Sequence, residues 1–215
     1  MKTLLAGIVL LILAGIGGLV YRNAVEHPNQ PVACPLDAKV CPDGTAVGRT
    51  GTSCTFPACP PPNVALENAG IAFALPAGFS PAALPDSASA AAYDRSPASS
   101  TEQAASIVIR QYGVGASSTP LDTIRGTAIG GASGAPVPVT SFSSANISGR
   151  TFTVVSVERF EGVIDTAYYL ARGQDVLRFD AIDRGADWTN PNLDVSALPA
   201  HAALAKLLAS LQVLQ

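Results

Sequence analysis

The 215-residue chain carries 13 Lys and Arg against 16 Asp and Glu, a formal net charge of −3. Nothing in that balance points to nucleic acid or anionic lipid as a partner. There are two histidines and four cysteines, and no His-Glu-x-x-His, Gly-x-Ser-x-Gly or phosphate-binding glycine loop, so the common metalloprotease, serine-hydrolase and nucleotide-binding signatures are absent.

From Thr3 to Tyr21, between Lys2 and Arg22, no residue is charged. As a helix that run would be ~28 Å long, close to the ~30 Å hydrocarbon core of a bilayer. It is apolar on all sides rather than amphipathic. The alternative is a cleaved signal peptide, but a cut after Ala24 would place Arg22 where a small residue belongs. Tyr21 sits where interfacial aromatics are common. The expectation is a retained single-pass anchor over residues 1–22, in contact with the membrane through residues 3–21. The α-amino group and Lys2 favour a cytoplasmic N-terminus, which leaves residues 22–215 periplasmic or extracellular. Residues 23–33, with Pro28 and Pro31, read as a tether.

Cys34, Cys41, Cys54 and Cys59 follow as C-x6-C-x12-C-x4-C. An even number of cysteines in an oxidising compartment predicts two disulfides, in any of three connectivities. A four-cysteine zinc site is the competing reading, but only Cys54 and Cys59 come near the close pair spacing such sites use. Turn formers rather than periodic apolar residues separate the cysteines, Pro42-Asp43-Gly44 among them. Residues 34–59 are thus predicted to be a stapled module too small to bury a core of its own. The stretch from Val32 to Gly51, with Cys54 and Cys59, resembles a small four-cysteine module attached to exported bacterial proteins. Cys41-Pro-Asp-Gly-Thr45 also resembles part of the Kazal protease-inhibitor pattern, whose full form has six cysteines. That resemblance implies protease inhibition as an alternative role for this module alone.

Residues 60–65 form a proline-rich linker, and residues 66–215 have the size of one domain. Ile71-Ala-Phe-Ala-Leu75 alternates like a strand and ends at Pro76-Ala-Gly-Phe79. Residues 80–105 read mostly as loop, with a short strand near Tyr93. Ser106–Tyr112 is dense in β-branched residues and predicts a strand. Thr119-Pro120 opens a short capped helix. Pro136 and Pro138 restrict Val137–Phe142 to an edge strand. Thr151–Arg159, Ile164–Arg172 and Asp175–Asp183 predict a meander of hairpins. In the last of them Leu177, Phe179 and Ala181 share one face, while Arg178 and Asp180 share the other. An amphipathic helix from Leu198 to Val213 closes the chain, with Ser196 as its expected N-cap and Leu204, Leu207, Leu208 and Leu211 on one side. The predicted class is α+β, an antiparallel sheet packed with a C-terminal helix.

The strand ending at Leu75-Pro76-Ala-Gly-Phe79, the Ile107–Tyr112 strand, Tyr168-Tyr169, Leu177-Arg178-Phe179 and the leucine-rich last helix resemble the Mog1/PsbP-like fold. That resemblance implies a binding or assembly factor without shared catalytic residues.

Few residues offer chemistry. His201, with a serine and an aspartate, is the only sequence-level route to a hydrolase triad. Asp183, Asp187, Trp188, Asn190 and Asn192 form a polar stretch around the lone tryptophan, a candidate ligand loop that lacks the residue order of a calcium loop. The plainer account has its Asp and Asn side chains capping turns, Arg184 screening the acids and Trp188 plugging the sheet edge. Arg150, Arg159, Arg172, Arg178 and Arg184 either pair with Glu158, Asp180 and Asp183 or make an anion-binding face. Asn146-Ile-Ser148 fits a glycosylation sequon. No cofactor is expected. The leading expectation is a membrane-anchored, exported, non-catalytic domain that binds a protein or small-ligand partner.

Overall fold

The computed structural model describes residue 7 and residues 12–22, 33–41, 45–96, 103–131 and 133–214. They fall into two compact units, Met1–Lys39 with Ala46–Ala58, and Val40–Thr45 with Cys59–Gln215.

In the first unit, residues 12–22 are helical (α1). Apart from Gly7, the earlier part of the apolar run lies outside the described residues. Among the described residues no helix is long and apolar enough to cross a membrane. Strands β1 (Ala38–Val40) and β2 (Ala46–Gly48) form a two-stranded sheet. A disulfide joins Cys34 to Cys54. Arg49 ties this segment together: it donates to both carboxylate oxygens of Asp37 at 2.7 and 2.9 Å and to the Cys54 carbonyl at 3.0 Å. Its guanidinium also lies 4.3 Å from the centre of the Phe56 ring. The expected turn at Pro42-Asp43-Gly44 lies outside the described residues.

The second disulfide, Cys41–Cys59, belongs to the second unit. The cysteines therefore pair first with third and second with fourth, and no free thiol is left for a zinc site.

The second unit is built on antiparallel sheets. Strands β3 (Val64–Leu66) and β4 (Ile71–Phe73) join β12 (Gln212–Val213) in a three-stranded sheet ordered β12-β4-β3. The larger sheet has seven strands: β5 (Ser80–Pro81), β6 (Ser89–Arg95), β7 (Ala104–Gly113), β8 (Phe142–Ile147), β9 (Arg150–Phe160), β10 (Val163–Ala171) and β11 (Asp175–Arg184). Their order is β5-β6-β7-β11-β10-β9-β8. Two hairpin turns carry positive φ at both central residues, Ser148-Gly149 and Glu161-Gly162. That is the type I′ geometry whose twist matches paired strands.

Helices α2 (Pro120–Thr127) and α3 (Pro199–Ser210) complete the unit. Alternation along β11 gives the sheet two unlike faces. Leu177, Phe179 and Ala181 pack under α3 with Phe73, Ile107, Ile109, Leu204, Leu207 and Leu208, all but inaccessible to solvent. Burying each leucine stabilises the fold by about 1.5–3 kcal/mol relative to exposure. On the opposite face Val176, Ala167, Val155 and Val157 meet Ile124 of α2. Thr119 and Asp122 make a reciprocal capping box that starts α2.

Four sequence expectations need correction. The short strand expected near Tyr93 is a seven-residue strand, Ser89–Arg95, between β5 and β7: pairing on both sides overrides the weak strand propensity of its alanines, while residues 97–102 lie outside the described residues. The prolines at 136 and 138 precede the edge strand instead of lying in it, and β8 begins only at Phe142. Helix α3 stops at Ser210, after which the chain extends to pair Gln212 and Val213 with β4. Ser196 does not cap α3; it lies in a short 3-10 turn that Asp194 caps, at 3.0 Å from its N–H.

Candidate functional site

The cap of α3 comes from the sheet. Asp183 lies two residues beyond Ala181 on the face that meets the helix. Its carboxylate accepts the N–H of Ala200 at 2.8 Å and that of His201 at 3.4 Å, two of the unpaired donors of the first helical turn. The same carboxylate sits 2.7 Å from Nδ1 of His201, and Nε2 sits 2.9 Å from the Thr166 hydroxyl. A carboxylate acceptor places a proton on Nδ1, and Nε2 is left to face the Thr166 hydroxyl. This is the hydroxyl–imidazole–carboxylate order of a hydrolytic triad, with threonine in the nucleophile's place. Asp183 and His201 are nevertheless buried, at 0% and 6% exposure. None of the three lines the clefts bordered by Cys34 and Gly51, by Pro60 and Lys206, by Ala65 and Gln111, or by Cys59 and Gln212.

The other face of the sheet holds a charged network. Arg110 and Arg178 stand directly opposite each other on β7 and β11, and Asp180 pairs with both guanidiniums. Arg110 also binds Asp86 at 2.8 Å, and Arg178 donates to the Thr127 carbonyl of α2 at 2.6 Å. Burial alone would lower Arg178, but Asp180, Tyr169 and Asp165 together outweigh it and hold the guanidinium charged. Burial raises Asp180 above the ordinary carboxylate value against the opposing pull of the two arginines. Burial likewise raises the Tyr169 hydroxyl to about 12.

Two groups on this face are buried without a hydrogen-bond partner, the Tyr169 hydroxyl and Oδ1 of Asp165, although Asp165 keeps partial exposure. It stands opposite Glu158 across a bulge between β9 and β10. Burial, with Asp180 and Glu158 adding to it, pushes its carboxyl well above the usual range.

The candidate ligand loop is dispersed. Asp183 points into the α3 cap, away from its sequence neighbours. Asp187 is exposed and accepts from the Thr189 hydroxyl at 2.7 Å; the Asn190 side chain accepts the Asn192 N–H at 2.9 Å. Trp188 is half-buried, its ring 5.2 Å from that of Phe160. The arginine that holds the loop is Arg159, which donates to the Trp188 and Asn190 carbonyls, while Arg184 binds Ser106 instead. Among the described residues no group of three or more His, Cys, Asp or Glu is placed to hold a metal ion. Arg172 pairs with Asp175, so Arg159, Arg172, Arg178 and Arg184 each have a partner within the domain.

A cleft of about 750 Å³ opens in the second unit between Pro60–Asn63, the turn Ala74–Phe79 and the start of α3. Leu75, Pro76, Phe79, Ala202 and Ala203 contribute its apolar wall, and Arg95 and Lys206 its charge. None of the described residues that line it is acidic. Its volume lies in the range of small-molecule sites. Sequence reasoning missed this cleft because its walls come from five separated segments that carry no motif. It missed Thr166 and Asp165 because strand register alone brings them to their partners.

No protein-family model matches the chain, and no curated protein matches it.

Proposed function

We propose that the chain is a single-pass, membrane-anchored exported protein whose α+β domain binds a protein or small-ligand partner without catalysing a reaction. The observation that carries this reading is the pair of disulfides, Cys34–Cys54 and Cys41–Cys59, with no free thiol beside them. Disulfides persist in exported compartments and are rare in the cytosol. The uncharged run from Thr3 to Tyr21 supplies the anchor in this reading. The antiparallel sheet beneath a leucine-rich last helix fits the Mog1/PsbP-like resemblance and the binding or assembly role it implies. The test is fractionation of expressing cells followed by alkaline carbonate washing. Retention in the washed membrane pellet is expected, with residues 22–215 digested by protease added outside the membrane. Release by carbonate, or protection from external protease, would sink the reading.

A hydrolase is the second reading, favoured by the array of Thr166, His201 and Asp183. It ranks second because Asp183 serves the helix cap and both Asp183 and His201 are buried.

A further inference from the structure

Building on the reading of the α+β domain as a binding module, we propose that the cleft over the start of α3 takes an amphipathic carboxylate: an apolar body with one terminal anionic group. The apolar part of the wall, Leu75, Pro76 and Phe79 beside Ala202 and Ala203, offers contact but no hydrogen bonds. Two backbone donors on its border are already paired. The N–H of Ala74 donates to the Ser210 hydroxyl at 2.9 Å, and that of Leu75 to the Asn63 side chain at 2.8 Å. Those two groups are not free to bind a ligand's oxygens, so recognition falls chiefly to apolar contact plus charge.

That charge has one sign. Lys206 is exposed and makes no ion pair with any described residue. The Arg95 side chain runs along the turn at Gly78, its Nε 3.8 Å from where a Cβ on that glycine would lie. With Lys206 unpaired by any described residue and no acid among the described lining residues, the cleft is complementary to an anion and repels an amine. A free carboxylate on an apolar ligand and the C-terminus of a short apolar peptide share this chemistry.

The experiment uses the full chain in lipid nanodiscs and follows fluorine-labelled phenylbutyrate by fluorine NMR, with empty nanodiscs as the blank. Labelled phenylbutylamine and a short apolar peptide, with its C-terminus free or amidated, form the other arms. Saturable binding of phenylbutyrate is expected, with no binding of the amine. Lys206→Glu should weaken it about tenfold, a loss of about 1.4 kcal/mol, while Lys206→Arg keeps it. Ala202→Phe should fill the cleft and abolish binding; circular dichroism checks that this variant folds, and Lys206→Glu tests the site independently of it. Preference for the free-ended peptide over phenylbutyrate would identify a chain terminus as the source of the carboxylate. Equal binding of acid and amine, or wild-type binding by both variants, would overturn the assignment. If no carboxylate binds while external protease still reaches residues 22–215, the cleft assignment falls and the exported, anchored reading stands.

Discussion

Asp183 and His201 are joined twice: the carboxylate accepts the histidine's backbone N–H at 3.4 Å and lies 2.7 Å from its ring Nδ1. One strand residue thereby fixes where α3 begins, how its histidine is oriented and, through Nε2, where the helix meets Thr166 on β10. The arrangement explains a buried histidine without assigning it chemistry. Removing the carboxylate with Asp183→Ala leaves two helix donors and a ring nitrogen unpaired, at a cost of about 2–4 kcal/mol in urea unfolding. Asp183→Asn, which keeps one acceptor oxygen, should cost less. Equal loss in both would show that the hydrogen bonds are not what matters.

The hydrolase reading makes a sharp prediction at the same residues. If the array were catalytic, Thr166→Val would abolish turnover of activated esters and reaction with a fluorophosphonate probe. The buried geometry predicts no turnover and no labelling in the wild type. Labelling at Thr166 would reverse the ranking of the two readings.

Asp180 holds two guanidiniums that would otherwise face each other across β7 and β11. Breaking a buried pair by removing one partner costs about 3–5 kcal/mol, because the remaining charge is uncompensated. Asp180→Asn is predicted to fall in that range or above it, since it strands both Arg110 and Arg178. Replacing Asp180 and Arg178 together with leucine and methionine should recover much of the loss. A double variant no better than the single one would contradict this account.

Asp165 predicts an inverted pH profile. Its folded-state pKa lies above the unfolded value, so its contribution is fully present below the unfolded value and is lost as pH rises through the folded one. Asp165→Asn should therefore be more stable than wild type on the alkaline side of that transition, with the advantage shrinking as pH falls below it. Thermal melts across the acidic to neutral range check this. An advantage that grows toward low pH would show that Asp165 is ionised in the folded protein.

The leucine stripe of α3 gives a conventional control. Leu208 is fully buried against the sheet, and Leu208→Ala should cost about 2–5 kcal/mol through lost contact and a residual cavity. The exposed change Lys206→Ala should stay within about 0.5 kcal/mol of wild type in stability.

Much of this fold is legible in the sequence because its signals are local. The three hairpin strands from Arg150 onward alternate cleanly, the Thr119 cap sits three residues before Asp122, and the α3 leucines recur at helical spacing. What escaped depends on pairing between distant segments. The alanine-rich β6 is a strand because β5 and β7 flank it, and Gln212–Val213 extends because β4 has a free edge. The helix cap was sought at Ser196 by proximity, whereas Asp183 supplies it from 18 residues before His201. The polar stretch from Asp183 to Asn192 looks like one site when read along the chain. In space strand alternation turns Asp183 inward, and the rest cap local turns.

The account rests most directly on the compartment of the cysteines. Intact expressing cells should be treated with a membrane-impermeant maleimide before and after a mild external reductant, and the labelled peptides identified by mass spectrometry. The prediction is no labelling at first, then modification of Cys34, Cys41, Cys54 and Cys59 once reduced, with unreduced samples yielding Cys34–Cys54 and Cys41–Cys59 cross-linked peptides. Thiols that are free in the cell, and reach the reagent only after lysis, would contradict an exported, disulfide-stapled protein.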